Sequence, residues 1–503
     1  MESPLWGTLT SSHDFGLGRP QSGALDIEWE TNEKKNVYRA ALSCMIRMAM
    51  ADSGNILAIR GNELDRLTDL PINIIHQIQD RISVQAAAKM SVLSRAWRYI
   101  WSSNPRLIFA TGFCTMRLPS KTIDIITAIL LQHHGSVKTF SVDISPIHSS
   151  QHPVVDRWIL FLSRNGLMDL SVLNEKSGNT PYKLPSYVYN VELEHLVLSN
   201  CIFRPPCSFR GFHKLRKLLL TRVSFELDVA TSSLWMPSLE TLQFIRCSGL
   251  RFLNIYAPKL LYLHLIGCGI DALNLGPFMV CSKLKMFGLV EQEVSLNRQD
   301  KTMKPTDILL SWPNLNRLIL GKCFVKFFPS GAGVDCPPMR QLKGLHLANY
   351  DFDSEDQMFA LASFLRNSPN LEILSFHMLS QRKKDDMEVD ENSSQKPDYG
   401  IQQLLNNLRI LQISRFHGSR AELLFIKFIL ASVPLLQKAI LLVETSVCES
   451  LLLKISKVLM RFPRASPKSE IIYEPWSERS KYSKLFLVRG VLVMIAIPDI
   501  DSL

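Results

Sequence analysis

Thiols and imidazoles are the side chains of this 503-residue chain best suited to chemistry. Cys201, Cys247, Cys268 and Cys323 each stand eight residues after the first leucine of a recurring L-x-x-L-x-L segment, a place that Val223 and Tyr350 take in two further copies. Four thiols could bind a metal or form a redox pair, but a position shared with valine and tyrosine calls for a small or apolar side chain. Buried, unreactive thiols are expected there. His264 and His346 likewise share the fifth position of their copies. A metal centre needs three or four convergent ligands, and neither histidine has a repeat-matched carboxylate or cysteine beside it, so no metal and no cofactor is expected. The chain has no Walker loop, G-x-S-x-G, H-E-x-x-H or glycine-rich dinucleotide turn after a strand. No catalytic residue is expected, and hence no enzyme.

These residues belong to an array of elements. The pattern runs LEHLVL from Leu193, LRKLLL from Leu215, LETLQF from Leu239, LLYLHL from Leu260 and LKMFGL from Leu284. It continues as LNRLIL from Leu315, LKGLHL from Leu342, LEILSF from Leu371 and LRILQI from Leu408, with weaker copies from Val137, Leu167 and Leu436. The spacings run from 21 to 37 residues, an irregular leucine-rich-repeat period. Each copy is a short strand whose fourth and sixth positions point inward, followed by a turn and a return segment that stacks on the next copy. The third, fifth and seventh positions are expected to face solvent on the concave side. On that reading Tyr262, His264, Met286, Arg317, Ile319 and His346 form a strip suited to binding a target protein.

Length and composition agree with such an array. The chain is too long for one core, and 46% apolar with 20% charged residues is enough to fold most of it. The net charge of +11 comes from dispersed basic residues without a recognisable binding motif, so nucleic acid is not an expected partner. No C-x-x-C pair occurs, the N-terminus lacks the features of a secretory signal, and the apolar stretch 490–497 is too short to cross a membrane. These features lead us to expect a protein of the nucleus and/or cytoplasm with no membrane partner. Residues 1–61 read as a flexible extension, 476–503 as a tail, and 381–399, mixed in charge and nearly free of apolar residues, as a disordered insertion.

Residues 65–101, DRLTDLPINIIHQIQDRISVQAAAKMSVLSRAWRYIW, have another texture. Asp69 is a candidate N-cap with Pro71 in the first turn, and Ile72, Ile75, Ile78 and Ile82 then share one helix face. Ser83 can cap a second short helix, and Leu93, Trp97, Ile100 and Trp101 set an apolar stripe along a third. The opening D-R-L-x-D-L-P and closing S-V-L-S-R-x-W-R-Y-x-W resemble the plant F-box, here residues 62–105. That resemblance implies docking on the Skp-type adaptor of a cullin-RING ubiquitin ligase through Leu70, Pro71, Ile74, Ile75, Ile78, Val92, Leu93 and Trp97, and through the adaptor an association with cullin and RING subunits.

The stretches LLNNLRILQISRFHGSRAELLFIKFILASVPLLQKAIL and RFPRASPKSEIIY are similar to the FBD module, here residues 401–475. Within it Glu422, Phe425, Ile426, Ile429 and Leu430 set a helix face suited to packing on neighbouring strands. The fold expected is thus an α+β, α/β solenoid: a small three-helix F-box, an irregular leucine-rich-repeat solenoid over 120–400, and a C-terminal FBD module. The family resemblance implies a non-catalytic substrate-recognition subunit of an SCF-type ligase. The alternative is an interaction scaffold that binds the adaptor without promoting degradation. Some relatives complete their substrate surface with a small molecule, for which this sequence shows no dedicated motif.

Overall fold

In all twelve copies of the repeat the strand opens two residues after the first apolar position, as at His195 after Leu193 and Ile410 after Leu408. The computed structural model describes Ile74, Ile78 and residues 103–109, 113–114, 119–176, 178–226, 233–250, 253–268, 276–290, 311–322, 338–378, 405–444, 447 and 449–476. These fall into two compact units, Met1–Gly166 and Leu167–Leu503. The expected extension and insertion lie outside the described residues, as do the tail apart from Trp476 and the F-box apart from Ile74, Ile78 and residues 103–105.

The first unit contains β1 (Arg106–Phe109), α1 (Pro119–Leu131), β2 (Thr139–Asp143) and α2 (His152–Ser163). β1 and β2 pair in parallel with Arg106 opposite Thr139. Ile123, Ile126 and Leu130 recur at helical spacing and form the buried face of α1. The indole of Trp158 on α2 donates to Thr127 Oγ1 at 3.0 Å, which satisfies its N–H while the ring is buried. β1 escaped the repeat search because Asn104, not leucine, stands two residues before it. The Asn104 side chain is buried and accepts from the Arg106 N–H at 2.9 Å.

The second unit begins with β3 (Asp169–Leu173), β4 (Tyr182–Lys183), β5 (His195–Ser199), β6 (Cys201–Phe203), β7 (Lys217–Thr221) and β8 (Ser224–Phe225). It continues through β9 (Ser233–Trp235), β10 (Thr241–Ile245), β11 (Asn254–Tyr256), β12 (Tyr262–Ile266), β13 (Met286–Val290) and β14 (Arg317–Leu320). Then follow β15 (Gly344–Tyr350), α3 (Glu355–Asn367), β16 (Ile373–Met378), β17 (Ile410–Phe416), α4 (Arg420–Ser432), β18 (Lys438–Val443), α5 (Glu449–Met460) and β19 (Glu470–Pro475). Within this unit one parallel sheet runs β3-β5-β7-β10 and then β12 to β19 in chain order. β4-β6-β8 and β9-β11 form short side ladders. Return segments are extended in the early copies and helical from α3 onward, so the unit is a solenoid of mixed β and α returns.

First, fourth and sixth positions make the core. Leu193, Leu196 and Leu198 are fully buried, and so are their counterparts Leu239, Leu242 and Phe244. Cys201, Cys247 and Cys268 are buried beside Val223 and Tyr350 in their shared position, while Cys323 lies outside the described residues. Farther along, Phe352, Phe376 and Phe425 interlock with ring centres 4.9–5.4 Å apart.

The chain leaves many strands by one repeated turn. Asn200, Arg222, Arg246, Gly267, Asn349 and Arg415, each seven residues after the first leucine, have φ between 51° and 65°. This left-handed corner points the next residue back into the core. Asparagine and glycine take it readily, whereas arginine there is strained by about 1–3 kcal/mol.

Residues 405–476, which cover most of the 401–475 segment expected to be the FBD module, continue the same sheet. β17 pairs in parallel with β16 and β18, and β18 pairs with β19. Leu408 and Leu436 stand two residues before β17 and β18, so the hydrophobic pattern carries the repeat register into both strands. The helix face read from the sequence is the buried face of α4. A capping box starts this helix: the Ser419 N–H donates to Glu422 Oε2 at 2.7 Å and the Glu422 N–H to Ser419 Oγ at 3.3 Å.

Candidate functional site

Parallel pairing places side chains of equal repeat position in rows across the inner face. In one row Tyr262 lies opposite Met286, Met286 opposite Arg317, and Arg317 opposite Gly344. In the next, Gln243, His264, Gly288, Ile319, His346 and Ser375 follow one another strand by strand.

The expectation that these positions face solvent holds only in part. Tyr262 and Arg317 are partly exposed, but His264, Met286, Ile319 and His346 are buried, between 0% and 4% exposed. In-register strands set each side chain about 4.8 Å from one on either side, so bulky neighbours shield one another. The two glycines serve as beds within this packing. The His264 ring overlies Gly288, and the Arg317 side chain lies within 3.4 Å of the place a Gly344 Cβ would take.

Burial decides the charge of the inner histidines. It holds His264 down at about 4, His346 at about 3 with help from the nearby Arg317 guanidinium, and His377 at about 4 with help from Arg415. All three are neutral at physiological pH. Neither ring nitrogen of His264 hydrogen-bonds to a described residue, and Ser375 Oγ is in the same state.

The open part of the inner face is at the start of the second unit, a location the repeat pattern alone did not single out. His195 Nδ1 lies 2.6 Å from the Asp169 carboxylate, with both side chains about a third or more exposed. Beside them Lys217 is exposed and Val197 and Leu219 are partly so. The signal available was chemical: charged residues replace apolar ones at the third position of these early copies. This surface mixes charge, hydrogen-bonding groups and apolar patches, and suits contact with a polypeptide.

At the far end the inner face closes on a small cluster. Arg415 Nε is 3.4 Å from a Glu444 carboxylate oxygen, and its guanidinium stands over the Trp476 ring at 4.7 Å. Trp476 also packs on Ile440 and Leu442 and faces His377 with ring centres 6.3 Å apart.

Two of the eight adaptor-docking residues fall among the described ones. Ile74 and Ile78 are both helical and four residues apart on one face. They are 8% and 1% exposed, so both side chains are packed inside the folded chain. Leu70, Pro71, Ile75, Val92, Leu93 and Trp97 lie outside the described residues.

The family model for the LRR domain of At1g61320/AtMIF1 matches residues 129–460. The F-box/FBD/LRR-repeat protein At1g13570 of Arabidopsis thaliana is 30% identical over 430 residues, spanning 82% of this chain and 99% of the relative. The chain belongs to the plant F-box/FBD/LRR-repeat family. Within that family the F-box/FBD/LRR-repeat protein At3g14710 of Arabidopsis thaliana is 23% identical over 82% of this chain and 94% of its own length. F-box/LRR-repeat protein 13 of the same plant is 23% identical over 83% of this chain and 98% of itself. The LRR-domain match to 129–460 also spans β17 and β18, in accord with the unbroken sheet.

Proposed function

We propose that this chain is the substrate-recognition subunit of an SCF-type cullin-RING ubiquitin ligase. The observation that carries the reading is the F-box pattern at residues 65–101 in a chain whose relatives, aligned nearly end to end, are named F-box proteins. Leu70, Pro71, Ile75, Val92, Leu93 and Trp97 supply the apolar contact with the Skp-type adaptor, while Ile74 and Ile78 hold the helix from its buried side. The target binds the accessible inner face, where Tyr262, Arg317, His195 and Lys217 offer aromatic and charged contacts. His264, Met286, Ile319 and His346 shape that face from within.

The subunit performs no bond chemistry of its own. It raises the effective concentration of a target lysine beside the ubiquitin-conjugating enzyme. Co-purification tests this reading: the wild-type chain should retain adaptor and cullin, and Leu70→Ala/Pro71→Ala should lose both while keeping its fold. Proteins held by the wild type should then gain ubiquitin in a reconstituted reaction. Retention of the adaptor with no bound protein ubiquitylated would favour a scaffold.

A further inference from the structure

The last helix of the array and the segment after it carry cations in close succession. Between Leu451 and Ser469 there are five cations, Lys454, Lys457, Arg461, Arg464 and Lys468, and no carboxylate. All five are exposed. Alongside them Leu453 is 60% and Met460 78% exposed, although the apolar face of α5, with Leu451, Ile455 and Leu459, is buried. Seven residues apart, Leu453 and Met460 fall on one side of the helix, about 10.5 Å from each other along its axis.

The cations beyond the helix are held in place. The Ala465 N–H donates to the Leu430 carbonyl at 2.8 Å, and Ser466 Oγ donates to the Leu436 carbonyl at 2.7 Å. Arg464 Nη1 donates to the Ser469 carbonyl at 2.9 Å, and Lys427 Nζ stands over the Phe462 ring at 5.9 Å, adding a sixth cation from α4. A surface fixed in this way loses less conformational entropy when a ligand binds.

We propose that this stripe is a docking surface for an extended acidic peptide segment of a partner protein. The cations demand negative charge, and two exposed apolar side chains about 10 Å apart match residues three positions apart on one side of an extended polyproline-II chain, which rises about 9.3 Å per turn. An anionic membrane fits less well. A helix that binds a membrane surface inserts its whole apolar face, and here that face is buried within the solenoid, with Leu453 and Met460 the exposed large apolar side chains among the described residues of α5.

The test uses the full-length chain without adaptor, so its outcome is independent of the ligase reading. A fluorescent peptide of glutamate and aspartate with leucines three positions apart is titrated against the protein, in parallel with vesicles of phosphatidylserine and phosphatidylcholine. The peptide should bind, more weakly as salt rises, and Lys454→Glu/Lys457→Glu should weaken it at least about tenfold. Leu453→Ser/Met460→Ser should lower affinity for this peptide and leave affinity for a serine-substituted peptide unchanged. These side chains are exposed, so an unchanged thermal midpoint confirms that the variants fold. Equal binding by wild type and the charge-reversed variant, absence of peptide binding at low salt, or tighter binding to the vesicles would each overturn the proposal.

Discussion

The imidazole of His264 lies across Gly288 of the neighbouring strand, where a methyl group would stand 2.8 Å from its Cδ2. Gly288→Ala therefore forces the ring or the strand to move and should destabilise the chain by about 1–3 kcal/mol. His264→Ala/Gly288→Ala should be less destabilised than the two single effects summed, and a double-mutant cycle by denaturant unfolding measures that coupling.

Acid should weaken the solenoid before its carboxylates titrate. His264, His346 and His377 have folded-state values of about 4, 3 and 4, below the ordinary 6.5. The unfolded chain therefore takes up these protons first. The stability contribution is complete above about pH 6.5 and declines as pH falls towards 4. Glu422 works in the opposite sense, since burial pushes its carboxyl up to about 7 despite the N–H donors around it. Its contribution is complete below the usual carboxylate range and declines as pH rises through 7. Urea midpoints between pH 4 and 8 should show an optimum near neutrality, and His346→Asn should flatten the acid limb.

Arg246 occupies the left-handed corner with φ 51°, is exposed, and donates its N–H to the Ile266 carbonyl at 2.7 Å. Arg246→Asn keeps that bond and relieves the backbone, as Asn200 and Asn349 do at the equivalent place. The variant should gain about 0.5–1 kcal/mol, whereas a β-branched Arg246→Val should lose at least as much. Thermal unfolding of both variants checks the sign.

Removing the capping hydroxyl of α4 in Ser419→Ala leaves the Glu422 N–H without its side-chain acceptor. The expected loss is about 1 kcal/mol, and Ser419→Asp should recover most of it. Hydrogen exchange at the first turn of α4 reads this locally.

The strand positions were legible in the sequence because the pattern has one physical cause. Leucines at first, fourth and sixth positions have nowhere to go but the core, so each strand begins where the pattern places it. β1 and β19 were missed because Asn104 and Lys468 stand where leucine was sought. Solvent exposure of the inner face was less legible. The alternation that buries Leu263 and Leu265 does not reveal that neighbours would also shield His264 between them. That the strands of the segment similar to the FBD module join the same sheet was less legible, since similarity of segments says nothing about how their strands pair.

One property of β19 bears on how the described sheet ends. Among the described strands it ends the sheet, and the N–H groups of Glu470 and Trp476 are turned back to Gln437 and Val443 of the preceding repeat. Alternate residues, Pro475 among them, therefore face outward, and proline has no hydrogen to offer. With exposed Glu470 on the same strand, this rim repels a foreign strand seeking to add on, and the array is guarded against growing into filaments.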